Sequence, residues 1–335
     1  MARGDAALPA CALLGAWMCL ISGAGCGPKA VPAGAGSGEV QVDPAVEQAD
    51  AERAFAEIVA GHNARTEHLD TFESRASLEM RYADSAGDHF DQCEADIFMA
   101  SGGRGAMRAS KLGENLLWVG GDGTRGWVFR LDHEPTSLIV YDHVDDRVWG
   151  QAFDNRGGGD FTMLTPRSVR VLAGMAPIQG DYTVRRIAGA AAGAPVHERF
   201  ELHWAPFPKV EGVMRFDAAG LPTQLVVNNG AGNEIIRATL SEYATAQAAN
   251  LAQGAWPKVA RRIEVHASEP KAEVRLYLDE PVAMVKRMKP KFFMLDELTT
   301  QLRPDSVAHY VPADAPTATA KPPAAKPTSG AGKSK

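Results

Sequence analysis

The sequence predicts an α+β fold that is mainly antiparallel: a strongly curved, unclosed β-barrel covering a few helices. Three observations predict it. Phe72, Ala76, Leu78, Met80 and Tyr82 alternate with Glu73, Arg75, Ser77, Glu79 and Arg81, the period of two that lays one face of a strand on a core. Turn signals rich in Gly, Pro, Asn and Asp then recur at the spacing of about 8–12 residues expected of a large antiparallel sheet. Helix-spaced apolar residues occur once before the first strand and once in mid-chain.

The elements follow in order. Residues 45–63 read as a helix, because Phe55, Ile58, Val59 and His62 stand at i, i+3, i+4 and i+7. The alternating strand 72–82 comes next, then a turn at 84–88. A second strand places Cys93, Ala95, Ile97 and Met99 on one face and Glu94 and Asp96 on the other. Gly102 and Gly103 turn the chain into 106–112. Strands 116–119 and 126–131 flank the turn Gly120-Gly121-Asp122-Gly123, giving a hairpin that carries Trp118, Trp127 and Phe129. Residues 136–141 form another strand, and 142–160 a long polar loop. Thr165 and Pro166 open a short helix as N-cap and first residue. Its apolar face is Val169, Leu172 and Ala173, and Pro177 closes it. Further strands are expected at 182–187, 196–204, 210–217, 223–227 and 234–243, then 261–267 and 272–278 after Trp256-Pro257. Residues 281–302 read as mixed helix and loop. One helix before the sheet and one within it would cover a face of a single domain spanning 45–310.

Both ends of the chain differ from this middle. Arg3, a broken apolar stretch over 8–21 and the small residues Gly23, Ala24 and Gly25 before Cys26 have the three parts of an export signal. Ala24, Gly25 and Cys26 resemble a bacterial lipobox, although Gly23 stands where Leu, Val or Ile is usual. The resemblance implies cleavage after residue 25 and lipid attachment at Cys26, an anchor of more than one acyl chain. An ordinary secretory signal containing a cysteine is the alternative. Residues 26–44 read as a flexible Pro/Gly/Ala tether. Gly27 is not the Asp that resembles an inner-membrane retention tag, which favours the outer membrane. The tail 311–335 is Pro, Ala, Thr and Lys with too little apolar surface to order itself.

A net charge of −6 argues against nucleic acid as a partner. The cysteines are at 11, 19, 26 and 93. Cleavage and lipidation would leave Cys93 alone, without an intramolecular disulfide and more in keeping with a buried apolar position than with a nucleophile.

Four stretches carry a family resemblance. They are the lead helix ending in Ile58-Val59-Ala60-Gly61-His62-Asn63 with its following strand; the run 116–129 with its Gly/Asp turn between aromatic strands; Val213 to Pro222 with its Asp-Ala-Ala-Gly-Leu-Pro hairpin; and Trp256 to Val265, a strand, then Lys291-Phe292-Phe293-Met294-Leu295. In this order they resemble the LolA/LolB-like superfamily of lipoprotein carriers and receptors. The resemblance spans roughly 46–298, and none of its motifs is a signature alone. It implies an unclosed barrel with an apolar cavity and acyl-chain or lipoprotein cargo, and the superfamily also includes a regulatory sensor type. An anchored member resembles the receptor type more than the soluble shuttle.

Chemistry-bearing motifs are sparse. No Cys-x-x-Cys, His-Glu-x-x-His, Gly-x-Ser-x-Gly or phosphate loop is present. Ser268-Glu269-Pro270-Lys271 matches Ser-x-x-Lys but falls between strands and reads as a turn. His62 and His68 could share a metal only if the helix end bends back, and read as satisfied or exposed histidines. Asp142, His143, Asp145 and Asp146 fit no cation-loop spacing. No cofactor, metal or enzyme activity is therefore expected. The expected cavity lining is Leu78, Met80, Ile97, Met99, Trp118, Trp127 and Phe129, large and adaptable side chains suited to acyl chains; a plain filled core is the alternative. Phe207, between Pro206 and Pro208, is the candidate contact with membrane or cargo. The functional expectation is a membrane-anchored envelope lipoprotein binding acyl chains or lipoproteins. A sensor or scaffold on the same fold is the alternative, and a hydrolase of wall or lipid material has no nucleophile–base set to support it.

Overall fold

The structure is a computed structural model that describes residues 43–84, 87–132, 134–142, 166–207, 210–268 and 271–309. The export signal, Cys26, the tether as far as residue 42, loop residues 143–160 with His143, Asp145 and Asp146, Thr165 and the tail lie outside these residues. The described strands form one open sheet whose order, edge to edge, is Ser306–His309, Ser137–Asp142, Arg125–Arg130, Glu114–Asp122, Arg104–Lys111, Gly87–Ala100, Phe72–Asp84, Ala272–Ala283, Lys258–Ala267, Glu234–Thr245, Pro222–Asn228, Val210–Phe216, Phe200–Phe207 and Tyr182–Arg186. Its strand pairings are antiparallel apart from that of Ser306–His309 with Ser137–Asp142. The two edges, Tyr182–Arg186 and Ser306–His309, do not pair, so the barrel is unclosed.

Helix α1 (Pro44–Glu67) starts where Asp43 accepts from the Ala45 N–H and Pro44 takes the first turn. It begins one residue earlier and ends four residues later than its periodicity indicates, because Arg65 and Thr66 find partners within the fold. Strands β1 (Phe72–Asp84) and β2 (Gly87–Ala100) form the longest hairpin, followed by β3 (Arg104–Lys111), β4 (Glu114–Asp122), β5 (Arg125–Arg130) and β6 (Ser137–Asp142). The mid-chain helix α2 is Pro166–Leu172. It ends at Leu172 and not at Pro177, since Gly174 turns the chain at φ +62 with its N–H on the Val171 carbonyl.

β7 (Tyr182–Arg186) pairs with β8 (Phe200–Phe207). The strand expected from 196 starts late: Val196–Arg199 is instead one helical turn, α3, entered from Pro195. The expected Pro206–Pro208 turn is shortened as β8 continues to Phe207. β9 (Val210–Phe216), β10 (Pro222–Asn228), β11 (Glu234–Thr245), β12 (Lys258–Ala267) and β13 (Ala272–Ala283) complete the antiparallel run. β13 outlasts its expected end by five residues and zips onto β1 as far as Phe72–Ala283. A 3₁₀ turn at Pro290–Phe293, helix α4 (Leu295–Leu302) and β14 (Ser306–His309) then form a strap.

Antiparallel register sorts the strand ends. The strand ends Asp84 and Gly87, Lys111 and Glu114, Arg130 and Ser137, Phe207 and Val210, Asn228 and Glu234, and Ala267 and Ala272 fall at one end of the sheet. α1 crosses the other end. Its Glu47 pairs with Arg186 and Arg199, its Phe55 and His62 meet the Phe216 ring edge-on, and its Arg65 reaches the Lys258 carbonyl.

Candidate functional site

Strand parity gives the sheet two unlike faces. The inner face packs toward α1 and the segment after α2. Across β2 to β5 it carries the paired row Ile97, Met107, Val119 and Val128. The buried inner cluster joins these to Phe55 and Val59 of α1, Leu172, Met175 and Ile178 of the α2 segment, and Leu202, Leu225 and Ile263 farther round the sheet. It includes Met80, Met99, Met107, Met175 and Met214, unbranched side chains that repack at small cost.

Leu78, Met80, Ile97 and Met99 therefore sit together on the inner face, at 0, 5, 2 and 1% exposure. Trp118, Trp127 and Phe129 do not join them. These three lie on the outer face with Leu138 and Val140, beneath Leu295 and Leu298 of the strap. The reason is the pleat: Val119 and Val128 point inward, so their neighbours must point outward. The seven expected lining residues thus separate into four inner and three outer ones. On the outer face Gly120 pairs with Trp127, and a Cβ at Gly120 would lie 2.4 Å from the indole nitrogen. Glycine is what lets that ring lie flat on β4. The Phe207 side chain lies outside the described side chains. An exposed apolar tip that the sequence reading missed is Leu112, fully exposed between β3 and β4 with φ +53. Its signal was an apolar residue directly before Gly113 in a two-residue turn.

A polar hub fastens the α2 segment to α1. Asn63 donates from Nδ2 to the Ile178 carbonyl at 3.0 Å and accepts the Ile178 N–H on Oδ1 at 2.8 Å, like a strand partner. His62 is 1% exposed, and its Nε2 lies 2.9 Å from the Ala176 carbonyl. Arg65 donates to the Gly174 carbonyl at 2.6 Å, and the same Nη2 lies 3.1 Å from His62 Nδ1. A guanidinium can only donate, so Nδ1 accepts and His62 is the neutral Nε2–H tautomer. Burial, and then the Arg65 charge, push its pKa from 6.5 to about 4, with the Ala176 carbonyl opposing. Arg170 of α2 completes the tie by donating to the carbonyls of Leu69, Asp70 and Ala100. Side-chain donors on backbone carbonyls thus hold the cover, at about 1 kcal/mol net for the neutral donors and about 1.5–3 kcal/mol for the guanidinium ones.

Among the described residues no group of three or more His, Cys, Asp or Glu is placed to hold a metal ion. His62 is committed to the hub. Cys93 is buried with Sγ 3.8 Å from the Leu78 carbonyl, and burial raises its pKa to about 11, so it is a neutral thiol at physiological pH. No described helix is long and apolar enough to cross a membrane.

No family model matches the sequence, and no curated protein matches it. Solved structures do show similarity in shape. A domain described as an outer membrane lipoprotein-sorting protein, from Vibrio parahaemolyticus, is 9% identical with a TM-score of 0.41, over 72% of this chain and 97% of that one. A LolA superfamily protein from Nitrosomonas europaea is 10% identical with a TM-score of 0.39, over 71% and 98%. A DUF1329 family protein from Desulfovibrio piger is 8% identical with a TM-score of 0.42, over 73% and 98%.

Proposed function

We propose that this chain is a non-enzymatic envelope lipoprotein, anchored through Cys26, that binds acyl chains, or lipoproteins by their acyl chains, behind its sheet. The observation that carries the reading is the inner face itself. It is apolar across the open sheet, rich in methionine, and closed by α1 and a segment tied on with a few side-chain hydrogen bonds. Hydrocarbon entering between sheet and cover would gain roughly 0.8 kcal/mol per CH₂ buried. Release of residues 173–178 from α1 would open the way.

The test is uptake of a fluorescent fatty acid by the unlipidated Cys26→Ser chain. Saturable uptake is expected, and Met99→Glu weakens it by placing a carboxylate among inner apolar groups. No uptake at saturating probe would end the proposal. A second reading is favoured by the near-complete burial of Leu78, Ile97 and Met99: a filled core, with the protein acting as a sensor or scaffold through a partner-binding face. It predicts that probe is excluded while a stable complex with another envelope protein forms. Gly27 in place of Asp supports the outer membrane as the site; fractionation of the envelope tests that.

A further inference from the structure

The strap and the residues leading into it, 284–289, present a run of cations that form no ion pair among the described residues. Lys286, Arg287, Lys289 and Lys291 are all exposed. The arrangement is held from beneath. Phe292 stacks on Phe98 of β2 with ring centroids 4.6 Å apart, and Phe293 packs with Ala100 and Ala106. The 3₁₀ turn Pro290–Phe293 thus turns its two aromatics inward and leaves Lys289 and Lys291 outward. Arg104 of β3 adds a fifth cation: it is exposed, donates from Nε to the Ser101 carbonyl at 3.0 Å, and its guanidinium lies 5.9 Å from the Phe293 ring centroid. Met294, 44% exposed, follows directly. The nearest acids in sequence, Asp296 and Glu297, occupy the first turn of α4, where the helix dipole favours them.

Five cations beside an exposed apolar side chain, on a chain of net charge −6, have the chemistry of a membrane-surface contact. We propose that this part of the strap, Lys286–Met294 with Arg104, docks on an anionic phospholipid bilayer. The charges complement the headgroups, and Met294 reaches the interface. Buried Phe293 and partly buried Phe292 anchor the backbone that carries Lys289 and Lys291, which lowers the ordering cost of docking. The contact is separate from cargo binding, because it lies on the outer face of the sheet.

The experiment is co-sedimentation of the Cys26→Ser chain with vesicles of phosphatidylcholine alone, or of phosphatidylcholine mixed with phosphatidylglycerol. Binding is expected to the mixed vesicles and to fall steeply with added salt. Each cation near an anionic surface contributes about a fivefold gain. The variant Lys286→Gln/Arg287→Gln/Lys289→Gln/Lys291→Gln should lose on the order of a hundredfold or more, with unchanged melting temperature and unchanged fatty-acid uptake. A matched control replaces Lys321, Lys326, Lys333 and Lys335 of the tail with Gln and should retain binding. Absent or equal binding to the two vesicle types would overturn the proposal, as would full binding by the strap variant or a loss seen with the tail control instead. Failure of fatty-acid uptake alone would leave it standing.

Discussion

His62 makes stability fall with pH in a window where few other groups act. In the fold it is neutral, with a pKa of about 4, while the unfolded chain returns it to about 6.5. The unfolded state therefore binds a proton first as pH drops. Stability conferred by the neutral ring is complete above 6.5 and is lost progressively down to about 4. One pKa unit corresponds to about 1.4 kcal/mol, so the loss approaches about 3 kcal/mol. Carboxylates with depressed pKa values, such as Asp122 at about 2, act at lower pH. Urea unfolding of the wild-type chain and of His62→Gln at pH 7, 5.5 and 4.5 measures the effect. Wild type should lose roughly 2 kcal/mol more than the variant between pH 7 and 4.5. Hydrogen exchange should place the opening at residues 173–178, since a protonated Nδ1 faces the Arg65 guanidinium at the distance where it now accepts. Parallel pH profiles for the two chains would refute the assignment of a neutral, hydrogen-bonded His62.

Other perturbations separate the two faces and test the tips. Asn63→Ala removes both hydrogen bonds to Ile178 and should cost about 2–3 kcal/mol, read by denaturant unfolding, while speeding fatty-acid uptake. Leu298→Ala removes a buried anchor of the strap, 2% exposed, and should cost about 2–5 kcal/mol in thermal melts while leaving inner-face uptake unchanged. Gly120→Ala should destabilise by about 1–3 kcal/mol, because its Cβ overlaps the Trp127 indole; near-ultraviolet circular dichroism should report the displaced ring. Leu112→Asn should raise the melting temperature, by relieving about 1 kcal/mol of left-handed strain at a side chain that touches nothing.

The strands were legible because each carries its own period. Phe72–Tyr82 announces which of its residues face the core, and the observed burial follows that alternation on Ser74, Ala76, Leu78 and Met80. The same rule, carried through consistently, would have separated Val119 from Trp118 and Val128 from Trp127. Size obscures it: large, adaptable side chains read as cavity lining, and this sheet has a second apolar face that takes the aromatic ones. Nothing local to β4 or β5 could say so. The cover for that face comes from residues more than a hundred positions later, and β14 pairs in parallel with β6 at a sequence distance that no turn signal bridges. The hub was hidden for a related reason. His62 obeys helical spacing and reads as core, yet the partner of its ring is a carbonyl of residue 176, which no side-chain pattern records.

That pair of faces also constrains how the fold can work. Opening the inner face by peeling strands apart would break the ladder hydrogen bonds and, over β3 to β6, expose the tryptophans under the strap as well. Releasing residues 173–178 breaks the few bonds made by His62, Asn63 and Arg65 and leaves the strand ladder intact. Since the second route sacrifices far fewer hydrogen bonds, motion should concentrate in the α2 segment, with the strap stiffening the wall opposite. Removing the strap's anchors at Phe292 and Leu298 should therefore raise hydrogen exchange along β4 to β6 without accelerating it at 173–178. Equal acceleration at both places would mean that the faces open as one unit and that the cover is no gate.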